Sequence, residues 1–108
     1  MITKELFEEA LFGLNDYYVV NYSYESDSGK LLDFAIIYLC KHDDKKFEIV
    51  RFDCSSREPF HVHKFFSSGK SKKIFIQKDN CFETVEWCIA ELKDKWFKYK
   101  ISYFEGKD

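Results

Sequence analysis

Five runs rich in β-branched and aromatic residues follow one another along the chain, each separated from the next by a short polar turn. They cover residues 17–24, 31–40, 47–54, 60–66 and 72–77. Such residues favour strands, while the intervening ESDSGK and KHDDKK segments contain the Gly, Ser and Asp that turns prefer. The short connections predict an antiparallel meander of five strands. The run LLDFAIIYLC, at 31–40, is apolar on both faces, which predicts a central strand covered on both sides.

The N-terminal segment, residues 3–13, is expected to form a helix. Thr3 can cap its start, and Gly13 can end it in the left-handed conformation that glycine adopts readily. Its apolar residues recur at intervals that place them on one face of a helix; they are Leu6, Phe7, Ala10, Leu11 and Leu14. The segment is acidic and amphipathic, so we do not expect a secretion signal.

A longer helix is predicted at the C-terminal end. Asn80 and Glu83 have the spacing of a capping box. Apolar residues then repeat at steps of three and four, namely Phe82, Val85, Ile89, Leu92, Trp96, Tyr99 and Tyr103. Such a stripe also suits a coiled coil, but three heptads on so short a chain favour a helix laid across a sheet. The predicted fold is therefore α+β, with one domain over residues 1–108. A five-stranded antiparallel meander is flanked by an N-terminal helix and a long amphipathic C-terminal helix.

Composition indicates a cytoplasmic protein with its own core. Hydrophobic residues make up 45% of the 108 residues and include twelve Phe, while the 33% that are charged can cover the surface. No apolar run approaches the roughly 18 residues that a membrane span needs, so we expect no association with membranes. The four cysteines (Cys40, Cys54, Cys81 and Cys88) form no Cys-x-x-Cys pair, and we expect them to be reduced and mostly buried.

The stretch RFDCSSREPFHVHKFF, residues 51–66, carries the candidate site. Arg51 and Asp53 share a face of one strand, and His61 and His63 share a face of the next, because strand residues two apart point the same way. If the SSREP turn closes a hairpin in matching register, Asp53 opposes His61 and Arg51 opposes His63, and the four groups meet. A slip of one residue would separate the two pairs onto opposite faces.

These residue types suit the cleavage of RNA by its own 2′-hydroxyl without a metal ion or cofactor. His61 and His63 would share the work of general base and general acid. Asp53 would fix the tautomer of a neighbouring histidine, and Arg51 would hold a phosphate group. The following hairpin adds lysines that would bind further phosphates; these are Lys64, Lys72 and Lys73.

Two other interpretations of the same residues stay open. The His-x-His pair together with Asp53 or Cys54 could bind a divalent ion, although a full tetrahedral set of ligands is not evident. The four side chains could also form a polar sheet face with ordinary cross-strand ion pairs. In that case the lysines are a solvated edge that discourages pairing with other sheets.

The segment EIVRFDCSSREPFHVHKF resembles the central signature of the small prokaryotic TumE-like toxins and their relatives among the domains of unknown function. That signature has a strand ending in Arg-aromatic-Asp, a turn, a His-x-His strand and a C-terminal amphipathic helix. Arg51, Asp53, His61 and His63 match it, whereas Cys54 stands where the family often has Asn, and SSREP replaces a turn with glycine. The resemblance implies an RNA-directed toxin with an antitoxin protein as its partner. The alternative function is a non-catalytic interaction domain that forms a homodimer through its aromatic faces.

Overall fold

A six-stranded sheet and one long helix make up the computed structural model, which describes residues 1–107. The elements are β1 (Ile2–Phe12), β2 (Asp16–Glu25), β3 (Leu31–His42), β4 (Lys45–Cys54), β5 (His61–Phe65), β6 (Ser71–Phe75) and α1 (Phe82–Glu105). The strands lie in the sheet in the order in which they occur in the chain, and every neighbouring pair is antiparallel. The predicted α+β class, the antiparallel sheet and the C-terminal helix are confirmed. The sheet has six strands rather than five.

The predicted N-terminal helix is wrong, because residues 2–12 form the edge strand β1. Pairing with β1 satisfies the outer backbone groups of β2, whose Tyr18 and Val20 side chains are fully buried in the core. This gain outweighs helix propensity, which amounts to only tenths of a kcal/mol per residue. Gly13 does adopt positive φ, as a helix end would require, but it does so in the turn between β1 and β2.

The core lies between α1 and one face of the sheet. On the side of α1 that faces the sheet, the Leu92 and Cys88 side chains are fully buried. The partly buried side chains of Ile89, Trp96 and Tyr99 pack against the same core. The predicted apolar stripe therefore does face the sheet. The capping box does not form: the N-cap is Cys81, whose side chain makes no capping hydrogen bond. The Asn80 Nδ2 group instead donates to the backbone carbonyl of Leu32, at 2.8 Å.

A buried polar contact fastens the C-terminal half of α1 to the sheet. The Tyr38 hydroxyl donates to Asp16 Oδ1 at 2.6 Å, and Lys100 Nζ of α1 lies 3.2 Å from Asp16 Oδ2. Because the Asp16 side chain is almost fully buried, its charge needs both partners. Burial and the neighbouring carboxylate raise the pKa of the Tyr38 hydroxyl far above its usual value.

The second face of the sheet, which we call the open face, is covered by no element among residues 1–107. The expectation that β3 is covered on both sides is therefore wrong. Its Ile36 and Tyr38 side chains are buried under α1, whereas those of Ala35 and Ile37 on the open face are only half-buried. Among the described residues, no helix combines the length and apolar character that crossing a membrane requires.

The cysteines behave as the composition suggested. All four are free thiols, and Cys40, Cys54 and Cys88 are buried. Burial raises the pKa of each buried thiol, that of Cys88 to about 12. These three residues therefore pack as small apolar side chains rather than as reactive nucleophiles.

Candidate functional site

The hairpin between β4 and β5 brings the four predicted residues together in the expected register. Asp53 pairs with His61 and Arg51 pairs with His63, so the predicted register is confirmed. The turn is closed by Ser55, whose backbone N–H donates to the Glu58 carbonyl at 3.0 Å. The Ser55 hydroxyl oxygen also accepts hydrogen bonds from the backbone N–H groups of Arg57 and Glu58, each at 3.2 Å.

Two cross-strand rows on the open face contain the site. Each row takes one residue from each of β3, β4, β5 and β6, and the residues of a row are direct neighbours across the sheet. The first row is Ile37, Arg51, His63 and Lys73, and the second is Ala35, Asp53, His61 and Phe75.

The three predicted lysines do not share one face. Lys73 lies beside His63 on the open face, whereas Lys64 and Lys72 pair with each other one position along the strands. Because side chains alternate along a strand, Lys64 and Lys72 belong to the face that α1 covers. Lys64 Nζ accordingly lies 5.9 Å from the centre of the Tyr99 ring of α1. Of the three, only Lys73 is a neighbour of the histidines.

His61 is an internal part of the site. It is only 2% exposed, and its ring lies 5.5 Å from that of Phe75. Its Nδ1 lies 2.9 Å from the backbone carbonyl of Pro59, an atom that can only accept, so Nδ1 carries a proton. Its Nε2 lies 3.3 Å from Glu58 Oε1 and 3.9 Å from Asp53 Oδ2. Both nitrogens therefore face protein oxygens.

His63 is the half-buried, more accessible histidine. Its ring stacks on Phe65, with 4.4 Å between ring centres. Burial lowers the pKa of His63, and the positive charges of Lys73, His61 and Arg51 lower it further, while Glu48 acts in the opposite direction. The imidazole is therefore neutral at pH 7, the state in which it can accept a proton.

The two cations of the site are each paired with a carboxylate that sequence reasoning missed. Arg51 Nε and Nη2 both lie 2.7 Å from Glu48 Oε1. Lys73 Nζ lies 3.1 Å and 3.3 Å from the two carboxylate oxygens of Glu58, and this hydrogen bond lowers the pKa of Glu58. Any phosphate that binds here therefore competes with Glu48 and Glu58.

A β-bulge explains why Glu48 was missed. Simple alternation places residues 48 and 51 on opposite faces of a strand. The register of β4 against β3 shifts between Tyr38 and Leu39, where Val50 and Glu48 are the successive partners. The extra residue, Ile49, is buried, and it turns Glu48 onto the open face beside Arg51. The sequence could have indicated Glu58, because this residue stands three positions before His61 in a loop that Pro59 stiffens.

The residues proposed for a metal site are divided between the two faces. Cys54 is buried under α1, whereas His61, His63 and Asp53 lie on the open face, so Cys54 cannot complete their ligand set. Within residues 1–107, no group of three or more His, Cys, Asp or Glu side chains is arranged to hold a metal ion.

A family model described as domain of unknown function DUF7718 matches residues 3–108. The chain belongs to this family. The DUF7718 match runs from β1 to the end of α1, so it includes the edge strand that the sequence pattern misassigned as well as the β4–β5 hairpin. No curated protein and no solved structure matches the chain. The resemblance to TumE-like toxins stays a prediction beside the DUF7718 membership.

Proposed function

We propose that this protein is the RNA-directed toxin of a prokaryotic toxin–antitoxin pair, related to the TumE-like toxins, and that it cleaves RNA in the cytoplasm without a metal ion. The observation that supports the proposal best is the row of Arg51, His63 and Lys73 across the open face. It combines a neutral imidazole with two cations that can bind a phosphodiester.

In the proposed reaction, neutral His63 takes the proton from the 2′-hydroxyl of a ribose. The 2′-oxygen forms a bond to phosphorus, and the bond from phosphorus to the 5′-oxygen breaks. The 5′-oxygen takes a proton from water, and the hydroxide that forms takes the proton held by His63. The products are a 2′,3′-cyclic phosphate and a 5′-hydroxyl, with His63 neutral again. Arg51 and Lys73 stabilise the charge that develops on the phosphoryl oxygens.

His61 is assigned a positioning role in this reaction. Its burial and its contacts with Pro59 and Glu58 keep both ring nitrogens away from a substrate on the surface. Glu58 connects it to the rest of the site, because Glu58 also binds Lys73. Loss of His61 should therefore impair cleavage less than loss of His63.

The test compares the purified protein with two histidine variants on end-labelled single-stranded RNA in the presence of EDTA. His63→Ala should lower the rate about 10²–10⁴-fold, as removal of a general base does. His42→Ala is the matched control, because His42 is the exposed last residue of β3, away from the site, and this variant should cleave at the wild-type rate. A single 2′-deoxy nucleotide in the RNA substrate should protect the phosphodiester linkage on its 3′ side from cleavage, because the attacking 2′-hydroxyl is missing there.

Three results would count against the proposed chemistry. Equal cleavage by wild type and His63→Ala, or no cleavage by either, would remove the catalytic role. Loss of activity in EDTA, with recovery on adding zinc or manganese, would mean that the site uses a metal ion.

In cells, expression of the wild type should slow growth. His63→Ala should relieve this effect, and the purified variant should unfold at the same temperature as the wild type.

A second candidate function is a non-catalytic interaction domain that forms a homodimer. Exposed large apolar side chains favour it, because monomeric proteins rarely present several of them together. Those on the helix side of the molecule include Phe12, Leu14 and Phe97. In this case His63→Ala would change neither growth nor assembly.

A further inference from the structure

Exposed apolar side chains from β1, from the β1–β2 turn and from α1 form one surface, which we call the aromatic ridge. Its members are Phe7, Phe12, Leu14, Phe97 and Ile101, whose exposed fractions are 40%, 67%, 93%, 58% and 41%. The ring of Phe12 stacks on that of Trp96, with 5.6 Å between centres, and Trp96 contacts Phe97 at 5.5 Å. Ile101 lies one helical turn beyond Phe97, so strand and helix both contribute apolar side chains to this surface.

The ridge is large enough for a stable interface. Its five side chains expose roughly 500 Å² of surface, if each has the size of an aromatic or large aliphatic side chain. An apolar patch of this size is at the upper end for a monomer. Burying one such patch on each of two molecules would remove roughly 1,000 Å² of apolar surface from water, and a polar rim would bring the total into the range of specific interfaces.

The charges beside the ridge differ between its two halves. The β1 half carries Glu5 and Glu9, whereas the α1 half carries Lys93, Asp94 and Lys98, a set with a net positive charge. Glu9 accepts a hydrogen bond from the Tyr18 hydroxyl and lies 3.9 Å from Lys93 Nζ, where the two halves adjoin. Neither Glu5 nor Lys98 has an ion-pair partner within residues 1–107.

We propose that a second copy of this chain docks on the aromatic ridge to form a two-fold symmetric dimer, with β1 of each copy against α1 of the other. A two-fold axis at the boundary between the halves places the acidic half of one copy on the basic half of the other, twice over. This self-complementarity of apolar surface and charge identifies a second copy as the occupant. The dimer gives the interaction-domain function its partner, and it forms whether or not the chain cleaves RNA.

The test is the molar mass in solution, measured by light scattering after size exclusion from about 1 to 100 µM, because dimerisation depends on concentration. The wild type should be a dimer, and Phe97→Glu should be a monomer. Leu6→Glu is the matched control: Leu6 is 68% exposed and also belongs to β1, but it points to the open face. It should remain dimeric, and circular dichroism should show both variants folded.

A monomeric wild type over the whole range would overturn the proposal. Dissociation by Leu6→Glu, with Phe97→Glu still dimeric, would overturn it in favour of an interface on the open face. The contribution of charge is tested separately: Lys98→Glu should weaken the dimer roughly tenfold, because it places like charges together. Glu5→Lys in the same chain should restore part of that loss. A dimer whose dissociation constant is insensitive to Lys98→Glu and to salt would contradict the proposed arrangement.

Discussion

At the scale of single residues, the proposed chemistry depends on the charge state of His63. Burial lowers its pKa, and Lys73 is the largest charged contributor in the same direction, whereas Glu48 raises it. In an NMR titration, the His63 midpoint should lie below the ordinary value of about 6.5. Lys73→Met should raise the midpoint, because it removes a positive charge that destabilises the imidazolium. Glu48→Gln should lower the midpoint, because it removes a negative charge that stabilises the imidazolium.

The pair of substitutions makes this titration a sharp test. Both replace a charged side chain with a neutral one on the same face, so a general disturbance of the hairpin would move the two midpoints in the same direction. Opposite shifts are expected only if charge is the cause. A Lys73→Met variant whose His63 midpoint is unchanged or lower would contradict the electrostatic account of the site.

At the scale of elements, α1 contributes most of its stability through one face. Leu92 is fully buried beneath the helix, so Leu92→Ala should lower the free energy of unfolding by about 2–5 kcal/mol. Asp94, half a turn away and exposed, provides the control, and Asp94→Ala should stay within about 0.5 kcal/mol of the wild type. Urea denaturation followed by circular dichroism measures both. A loss for Leu92→Ala as small as that of the control would mean that the helix is not packed as described.

The strands between residues 16 and 75 could be predicted because their apolar and β-branched runs are bounded by turn residues. β1 could not, since an edge strand that is exposed on both faces has no strict alternation of its own. Its Leu6, Phe7, Ala10 and Leu11 fit a helical face equally well. Gly13 did not distinguish a helix from a strand in the preceding residues, because a helix end and a tight hairpin turn both use positive φ. Residues 2–12 form a strand because they pair with β2, a tertiary contact that local sequence preference does not encode.

The sequence indicated which residues could form the candidate site, on the condition of one hairpin register. Alternation places Arg51 and Asp53 on one strand face and the two histidines on another, but a slip of one residue would have separated them, and the structure shows Arg51 opposite His63. The partners of the cations were not predictable, because the contact between Glu48 and Arg51 depends on a bulge that has no sequence signature here. The burial of His61 likewise depends on the path of the loop through Glu58 and Pro59. Both are consequences of tertiary packing rather than of local pattern.

At the scale of the whole molecule, the sheet separates two surfaces of different character. The open face carries Arg51, His63 and Lys73 with their carboxylate partners, and the helix side carries the aromatic ridge. A dimer formed through the ridge leaves both open faces accessible, on opposite sides of the assembly. RNA cleavage and dimerisation should therefore be independent properties of the chain.

This independence can be tested with the double variant His63→Ala/Phe97→Glu. Substitutions at distant sites without shared partners have additive effects. Phe97→Glu alone should abolish the dimer and cleave RNA at the wild-type rate, whereas His63→Ala alone should abolish cleavage and remain dimeric. The double variant should be a monomer with the residual rate of His63→Ala. If Phe97→Glu also lost cleavage while folded, the two copies would have to build the RNA site together, and the separation of the two surfaces would be wrong.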